Sequence, residues 1–280
     1  MNQETKPKFK ISILLFVATL ATTMIAGAIQ QGVNPIETPF KIVKGMPFAL
    51  TLIFILLSHE LGHYIMSKKH NINVTLPYFI PAPSFIGTFG AFIKMKSPLL
   101  DRKTLLDVGA SGPLVGTIIS IPFLIIGLKL SEVKIAIEPG GAALGSSILF
   151  SLLAKLTLGS LPESYDIILH PIGFAGWIGL LVTSLNLLPV GQLDGGHVAY
   201  AVLGEKHERL STITVFFLFA LGFFGWKGWF IWGALLLVMG IKHPRPLDQW
   251  TPLDSKRKII GWITLITFIL TFTPTPFAYI

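Results

Sequence analysis

The chain has 280 residues, of which 52% are hydrophobic and only 13% charged, with a mean hydropathy of +0.70. Soluble domains carry about 25% charged residues, so the composition excludes a disordered chain and an ordinary water-soluble globule. The formal charge of +8 does not point to nucleic acid, because the 22 Lys and Arg are scattered between apolar runs; the lack of cysteine excludes disulfides and thiolate metal sites.

The first apolar run, 11–30, is uncharged and follows Lys6, Lys8 and Lys10. Ala26-Gly27-Ala28 resembles a leader cleavage site, but the run outlasts the apolar core of a signal peptide, about 7–15 residues, and is expected to remain as a helix. Further runs cover 46–66, 105–128 and 168–188, followed by the shorter 211–224, 228–241 and 259–272. The weaker stretch 142–158 is expected to lie at the interface rather than to span. With the N-terminus in the cytoplasm, segments 1–10, 67–104, 204–210 and 242–258 hold 16 of the 22 Lys and Arg, as the positive-inside rule requires. A single helix over 211–241 would move Lys256, Arg257 and Lys258 outside, which favours a hairpin there. The fold expected is an all-α polytopic membrane protein of about six to seven transmembrane helices. It forms one integral membrane domain over 1–280, with a core at 46–204 and additional spans in 205–280.

The second run ends in Ser58-His59-Glu60-Leu61-Gly62-His63. Ionisable groups inside an apolar segment are costly and mark function by default. Residues four apart on a helix lie about 40° apart around its axis, so His59 and His63 can face one metal ion. Glu60 stands about 60° from His63, where it could take a proton from water at that metal. This is the HExxH pattern of zinc hydrolases. Seven His and eight Glu in this chain give about 0.005 chance matches to it. Buried core histidines are therefore the weaker explanation. Seven residues before Met66, His59 lies roughly 10 Å inside the cytoplasmic face.

A catalytic zinc usually takes three protein ligands. The fourth run supplies a candidate in Asn186-Leu187-Leu188-Pro189-Val190-Gly191-Gln192-Leu193-Asp194-Gly195-Gly196. Pro189 obstructs the helix, and Gly191, Gly195 and Gly196 permit an unwound path. Irregular backbone at membrane depth is tolerated only inside protein or against a wet cavity. The second and fourth runs point the same way, so Asp194 can reach the two histidines. Read alone, the segment fits equally well a helix exit with Asp194 in solvent.

The two motifs together, HELGH in one span and N-x-x-P-x-x-x-x-D-G in a later one, resemble the site-2 protease family of intramembrane metalloproteases. The likeness runs from the second to the fourth span and takes in the glycine-rich stretch 85–95. It implies that His59, His63 and Asp194 bind Zn2+, that Glu60 is the catalytic acid and base, and that Asn186 lies near bound substrate. Many members carry a PDZ domain, for which this chain has no room, so selection of substrate by such a module is not expected.

The implied reaction is hydrolysis of peptide bonds within or near the transmembrane segment of a membrane protein, in the lipid bilayer. Such a segment must unwind first. The stretch 85–96, with Gly87 and Gly90 among β-favouring residues, is expected to form a small membrane-associated β element whose edge pairs with unwound substrate. Gly109, Gly112 and Gly116 read as helix packing. His197 reads as a partner of a metal ligand or as a polar residue opening the next helix. His170 and His243 read as interface residues, and Trp226 and Trp229 as part of an aromatic belt. The location expected is a multi-pass cell membrane protein with its active site toward the cytoplasm; an organelle membrane would read similarly. The rivals are a divalent-metal transporter, disfavoured by the lack of an internal repeat, and a non-cleaving relative, which would have lost a ligand or base. The substrate and the oligomeric state are not written in the sequence.

Overall fold

Pro39 and Pro47 punctuate the first two helices. Helix α1 (Phe9–Gln30) leads through a 3-10 turn at Pro39–Gly45 into α2 (Met46–Lys69), where Pro47 occupies the first turn, a place that needs no amide donor. Lys68 and Lys69 close α2, on the end of the helix dipole that favours cations. The computed structural model describes residues 9–97, 101–135, 142–162, 164–248 and 250–279. Lys6 and Lys8, used above to orient the first run, lie outside them.

Strands β1 (Tyr78–Pro81) and β2 (Thr88–Phe92) follow as an antiparallel pair, with Tyr78 opposite Phe92 and Phe79 opposite Ala91. The expected β element is therefore present, but half of it comes from residues before 85. Strand β1 packs on α1, while β2 reaches α2.

Helix α3 (Arg102–Lys129) is capped by Asp101, whose side chain accepts from the Thr104 amide at 2.7 Å. It is the hub of the molecule, packed against α2 and against α4 (Ile148–Leu158), α5 (Pro171–Asn186), α6 (Asp194–Leu203) and the last helix. Strand β3 (Glu132–Ile135) precedes β4 (Ala142–Leu144), and β5 (Tyr165–Ile168) precedes α5. At 11 residues α4 is about 16 Å long, too short to cross a bilayer. The fourth apolar run is shortened at its start, because Ile168 belongs to β5 and pairs with Glu132 of β3. His170 then caps α5, accepting from the Ile172 amide.

Helix α6 is separated from α7 (His207–Phe224) by a 3-10 turn that opens at Gly204, with φ +61°. Helices α7 and α8 (Gly228–Met239) pack as a hairpin around Gly225-Trp226-Lys227, as the loop charges required. Helix α9 (Ser255–Thr271) and strand β6 (Phe277–Tyr279), paired with β4, complete the described chain. Among the described residues, four helical stretches are long and apolar enough to cross a membrane: Phe9–Gln30, Pro39–Lys69, Arg102–Lys129 and Asp194–Phe224. Helices α4, α5 and α8 are shorter and apolar.

Candidate metal centre

On α2, His59, Glu60 and His63 are all buried, at 4%, 6% and 7% exposure. The partner segment begins where α5 ends. Leu188 and Val190 turn the chain through short backbone bonds, and Gly191 adopts φ +53°. The chain then presses back on itself. A Cβ on Gly195 would sit 2.0 Å from the Leu187 carbonyl oxygen, and one on Gly196 would sit 2.4 Å from that of Gly191. Only glycine fits at either place, and the resulting turn sets Asp194 at the first position of α6, facing α2.

The three candidate ligands meet. Asp194 Oδ2 lies 3.3 Å from His59 Nε2 and 3.2 Å from His63 Nε2, and the two ring nitrogens are 3.2 Å apart. Tetrahedral zinc with bonds of about 2.0–2.1 Å spaces its ligand atoms about 3.3–3.4 Å apart. The triangle thus has the size of one face of such a site, and His59, His63 and Asp194 could hold a metal ion.

Hydrogen bonding orients the ring. His63 Nδ1 lies 2.8 Å from the carbonyl oxygen of Val108, which can only accept, so Nδ1 carries a hydrogen. Nε2 is then the atom that His63 turns toward the Asp194 carboxylate, where either a proton or a metal ion can stand between the two. The carbonyl contact also fixes the imidazole's orientation, the usual outer support of a ligating histidine.

Asn186, the last residue of α5, brings Nδ2 to 3.4 Å from His59 Nε2, at the rim of the triangle. Glu60 lies next to His59 on α2, with the backbone of Ile93, just beyond β2, near its carboxylate. The other two residues singled out in the sequence lie elsewhere. Gly87, at φ +83°, is seated on α1: its carbonyl accepts from Thr22 Oγ1 at 2.6 Å, and a Cβ would lie 2.5 Å from Thr23 Cα. Gly90, at φ +97°, has open space where a side chain would go.

Two features of the site had other meanings in the sequence. The glycines of α3 do more than bring helices together, because they form the wall on which the candidate ligands rest. A Cβ on Gly112 would lie 2.1 Å from His63 Nε2, one on Gly116 2.9 Å from His59 Nδ1, and one on Gly109 3.1 Å from the Asp194 carbonyl oxygen. Their spacing of three and four residues was the available signal. His197 turns away from the ligands and places Nδ1 2.6 Å from His243 Nε2. His243 in turn holds the Pro244 carbonyl through Nδ1 and stacks on Tyr200. Burial lowers the pKa of His243, which favours the neutral form. Its Nε2 then accepts the Nδ1–H of His197.

Comparison with known proteins follows the same line. Residues 47–224 match the family model described as Peptidase family M50. The chain is 29% identical over 292 residues to the probable zinc metalloprotease EGY1, chloroplastic, of Arabidopsis thaliana, covering 95% of this chain and 53% of that protein. It is 32% identical over 238 residues to the probable zinc metalloprotease EGY2, chloroplastic, of the same plant, covering 84% and 43%. A 158-residue stretch is 31% identical to the DDT domain-containing protein PTM of Arabidopsis thaliana, over 55% of this chain and 9% of that one. The chain spans about half the length of the metalloproteases it matches.

Proposed function

The chain belongs to peptidase family M50, the site-2 protease family, and from that premise we propose that it is an intramembrane zinc metalloprotease cleaving transmembrane segments of membrane proteins. The observation that carries this reading is the triangle of His59, His63 and Asp194 with Glu60 buried beside it. A carboxylate adjoining the three candidate ligands is unneeded for binding metal alone, but hydrolysis requires it.

A zinc ion held by these three side chains supplies a Lewis acid and lowers the pKa of water in its reach toward about 7. The protein's own groups do the rest. Glu60 accepts a proton from the attacking water as the C–O bond forms, then delivers it to the amide nitrogen as the C–N bond breaks. Burial removes competing solvent from that carboxylate, so the proton it takes is returned to the leaving group. The amide of Asn186, at the rim of the triangle, would donate to the scissile carbonyl oxygen. Strand β2 reaches α2 close to Glu60, and an unwound substrate adding to its edge would lie along the site. Gly90, open to its surroundings, leaves room for such a strand, while Gly87 keeps the turn pressed on α1.

The loop charges support a site toward the cytoplasmic face of this multi-pass membrane protein. The test is a Glu60→Gln variant reconstituted with a transmembrane substrate. Zinc content should match that of the natural protein while cleavage disappears. Undiminished cleavage would remove Glu60 from the mechanism, and metal flux through proteoliposomes would favour a transporter.

A further inference from the structure

Helices α7 and α9 do not pack on one another to any extent; α9 rests on α3, α4, α5 and α6 instead. Between them opens a cavity of about 770 Å³ with almost wholly apolar walls. One wall is a continuous face of α9. Lys258, Gly261, Leu265, Phe268 and Phe272 all line it, and steps of three and four residues keep them on one side of the helix. From Lys258 to Phe272 this face runs about 21 Å at 1.5 Å per residue. The hydrocarbon of one leaflet is about 15 Å deep, half of a ~30 Å core, so this face is long enough to hold an acyl chain of one leaflet.

Its two ends differ. Lys258 is exposed in the first turn of α9, and Arg102 opens α3 at the same end. Arg102 holds the last carbonyls of α6 through Nε to Ala201 at 2.7 Å and Nη2 to Val202 at 3.0 Å. Neither cation has a carboxylate within 4.0 Å among the described residues. The neighbouring Arg257, by contrast, is taken up by Asp107 and Asp254. Two positive charges with no carboxylate partner among the described residues therefore stand at the mouth of an apolar channel, on the side where the basic loops cluster. The far end, at Phe272 and Phe217, has no charge.

We propose that this groove is a binding site for an anionic phospholipid of the cytoplasmic leaflet, its phosphate on Arg102 and Lys258 and an acyl chain along α9. Charge complementarity selects this occupant: a hydrophobic peptide segment would match the walls but leave both cations unanswered at the interface. The groove's floor includes Leu187, Pro189 and Gly195, the loop that presents Asp194, so the lipid buttresses the metal centre from behind. The inference rests on the membrane location and the groove, not on the peptidase reading.

The full chain is reconstituted in equal parts phosphatidylcholine and phosphatidylglycerol, extracted, washed and analysed for retained lipid by mass spectrometry. The natural protein should retain phosphatidylglycerol in preference to phosphatidylcholine. Lys258→Gln should reduce that preference about fivefold, the worth of one cation at a membrane surface. Leu265→Trp, which fills the groove and leaves both cations, should lower the total lipid retained. Lys227→Gln, remote from the groove, should change neither. Circular dichroism melts establish that each variant is folded, and the two groove variants act independently, so loss of one leaves the other as the test. Retained lipid that mirrors the bulk mixture would overturn the proposal, as would full retention by both groove variants. A photo-cross-linker at Phe217 that captures a co-reconstituted transmembrane peptide in preference to lipid would overturn it in favour of helix docking.

Discussion

Gly112 of α3 faces the Nε2 edge of His63: a Cβ there would lie 2.1 Å from Nε2, the atom that turns toward Asp194. Even a methyl group would occupy space needed by the ring or by its metal. Gly112→Ala should therefore lower zinc affinity at least about 100-fold, the upper end of what supporting residues control. Gly116→Ala meets His59 at Nδ1, 2.9 Å away and on the far side of the ring, and should cost about tenfold. Zinc titration of the purified variants checks both. Equal affinity for Gly112→Ala and the natural protein would show that this face of α3 yields freely.

The hairpin separates two kinds of glycine. Gly87→Ala introduces a side chain at φ +83° and against Thr23 Cα, which should destabilise the packing of the hairpin on α1 by about 2–4 kcal/mol. Gly90→Ala has the same backbone penalty, about 1–2 kcal/mol, but meets no neighbour. Proteolysis of the 78–92 hairpin in the folded protein should accelerate strongly for the first and slightly for the second. Zinc content should remain unchanged in both, since neither glycine touches the triangle.

What the sequence disclosed follows from which interactions are local. The spacing of His59 and His63 is a property of one helix, so their common face was legible before any tertiary contact was known. Asp194 was legible in a weaker sense. Pro189 and the glycines announced a break in the helix, but whether the carboxylate faced α2 or solvent depended on how α5 and α2 lie together. The stripe at Gly109, Gly112 and Gly116 signalled close approach without naming what approaches, because the imidazoles belong to another helix. The pairing of His197 with His243 spans 46 residues and leaves no local trace. Ile168 looked like part of a helix because apolar runs conceal whether a distant strand, here β3, will claim their first residues.

The His243 contact carries a pH dependence. Burial places its pKa below the ordinary histidine value of 6.5, so the unfolded chain binds a proton that the folded protein refuses. The stabilisation is complete above pH 6.5 and declines as pH falls through that value toward the folded pKa. Melting temperature should accordingly fall between pH 7.5 and pH 5.5, and His243→Ala should flatten part of that slope. The same variant deprives the buried His197 of its acceptor and should cost about 1–3 kcal/mol at pH 7.5. A slope unchanged by His243→Ala would assign the acid sensitivity to other groups.

Asp107 ties three helices together at the end where the basic loops cluster. Its carboxylate accepts from Arg257 of α9 through Nη2 at 2.6 Å and Nε at 3.1 Å, and it meets His70, the cap of α2, at 2.8 Å. The carboxylate is 10% exposed and the guanidinium 25%, so solvent screens the pair only partly. Asp107→Asn keeps the volume but removes the charge and one of the two-pronged bonds, leaving Asp254 as the charged partner of Arg257. A cost of about 1–3 kcal/mol is expected, between the values for exposed and buried pairs. The loss should be local before it is global. Helix α9 is held to α3 at this point, so amides in the 255–261 turn should exchange hydrogen faster in Asp107→Asn, while those of α2 around His59 keep their protection. Uniform acceleration across α2, α3 and α9 would mean that the three helices open as one unit and that Asp107 is not a separate fastening of α9.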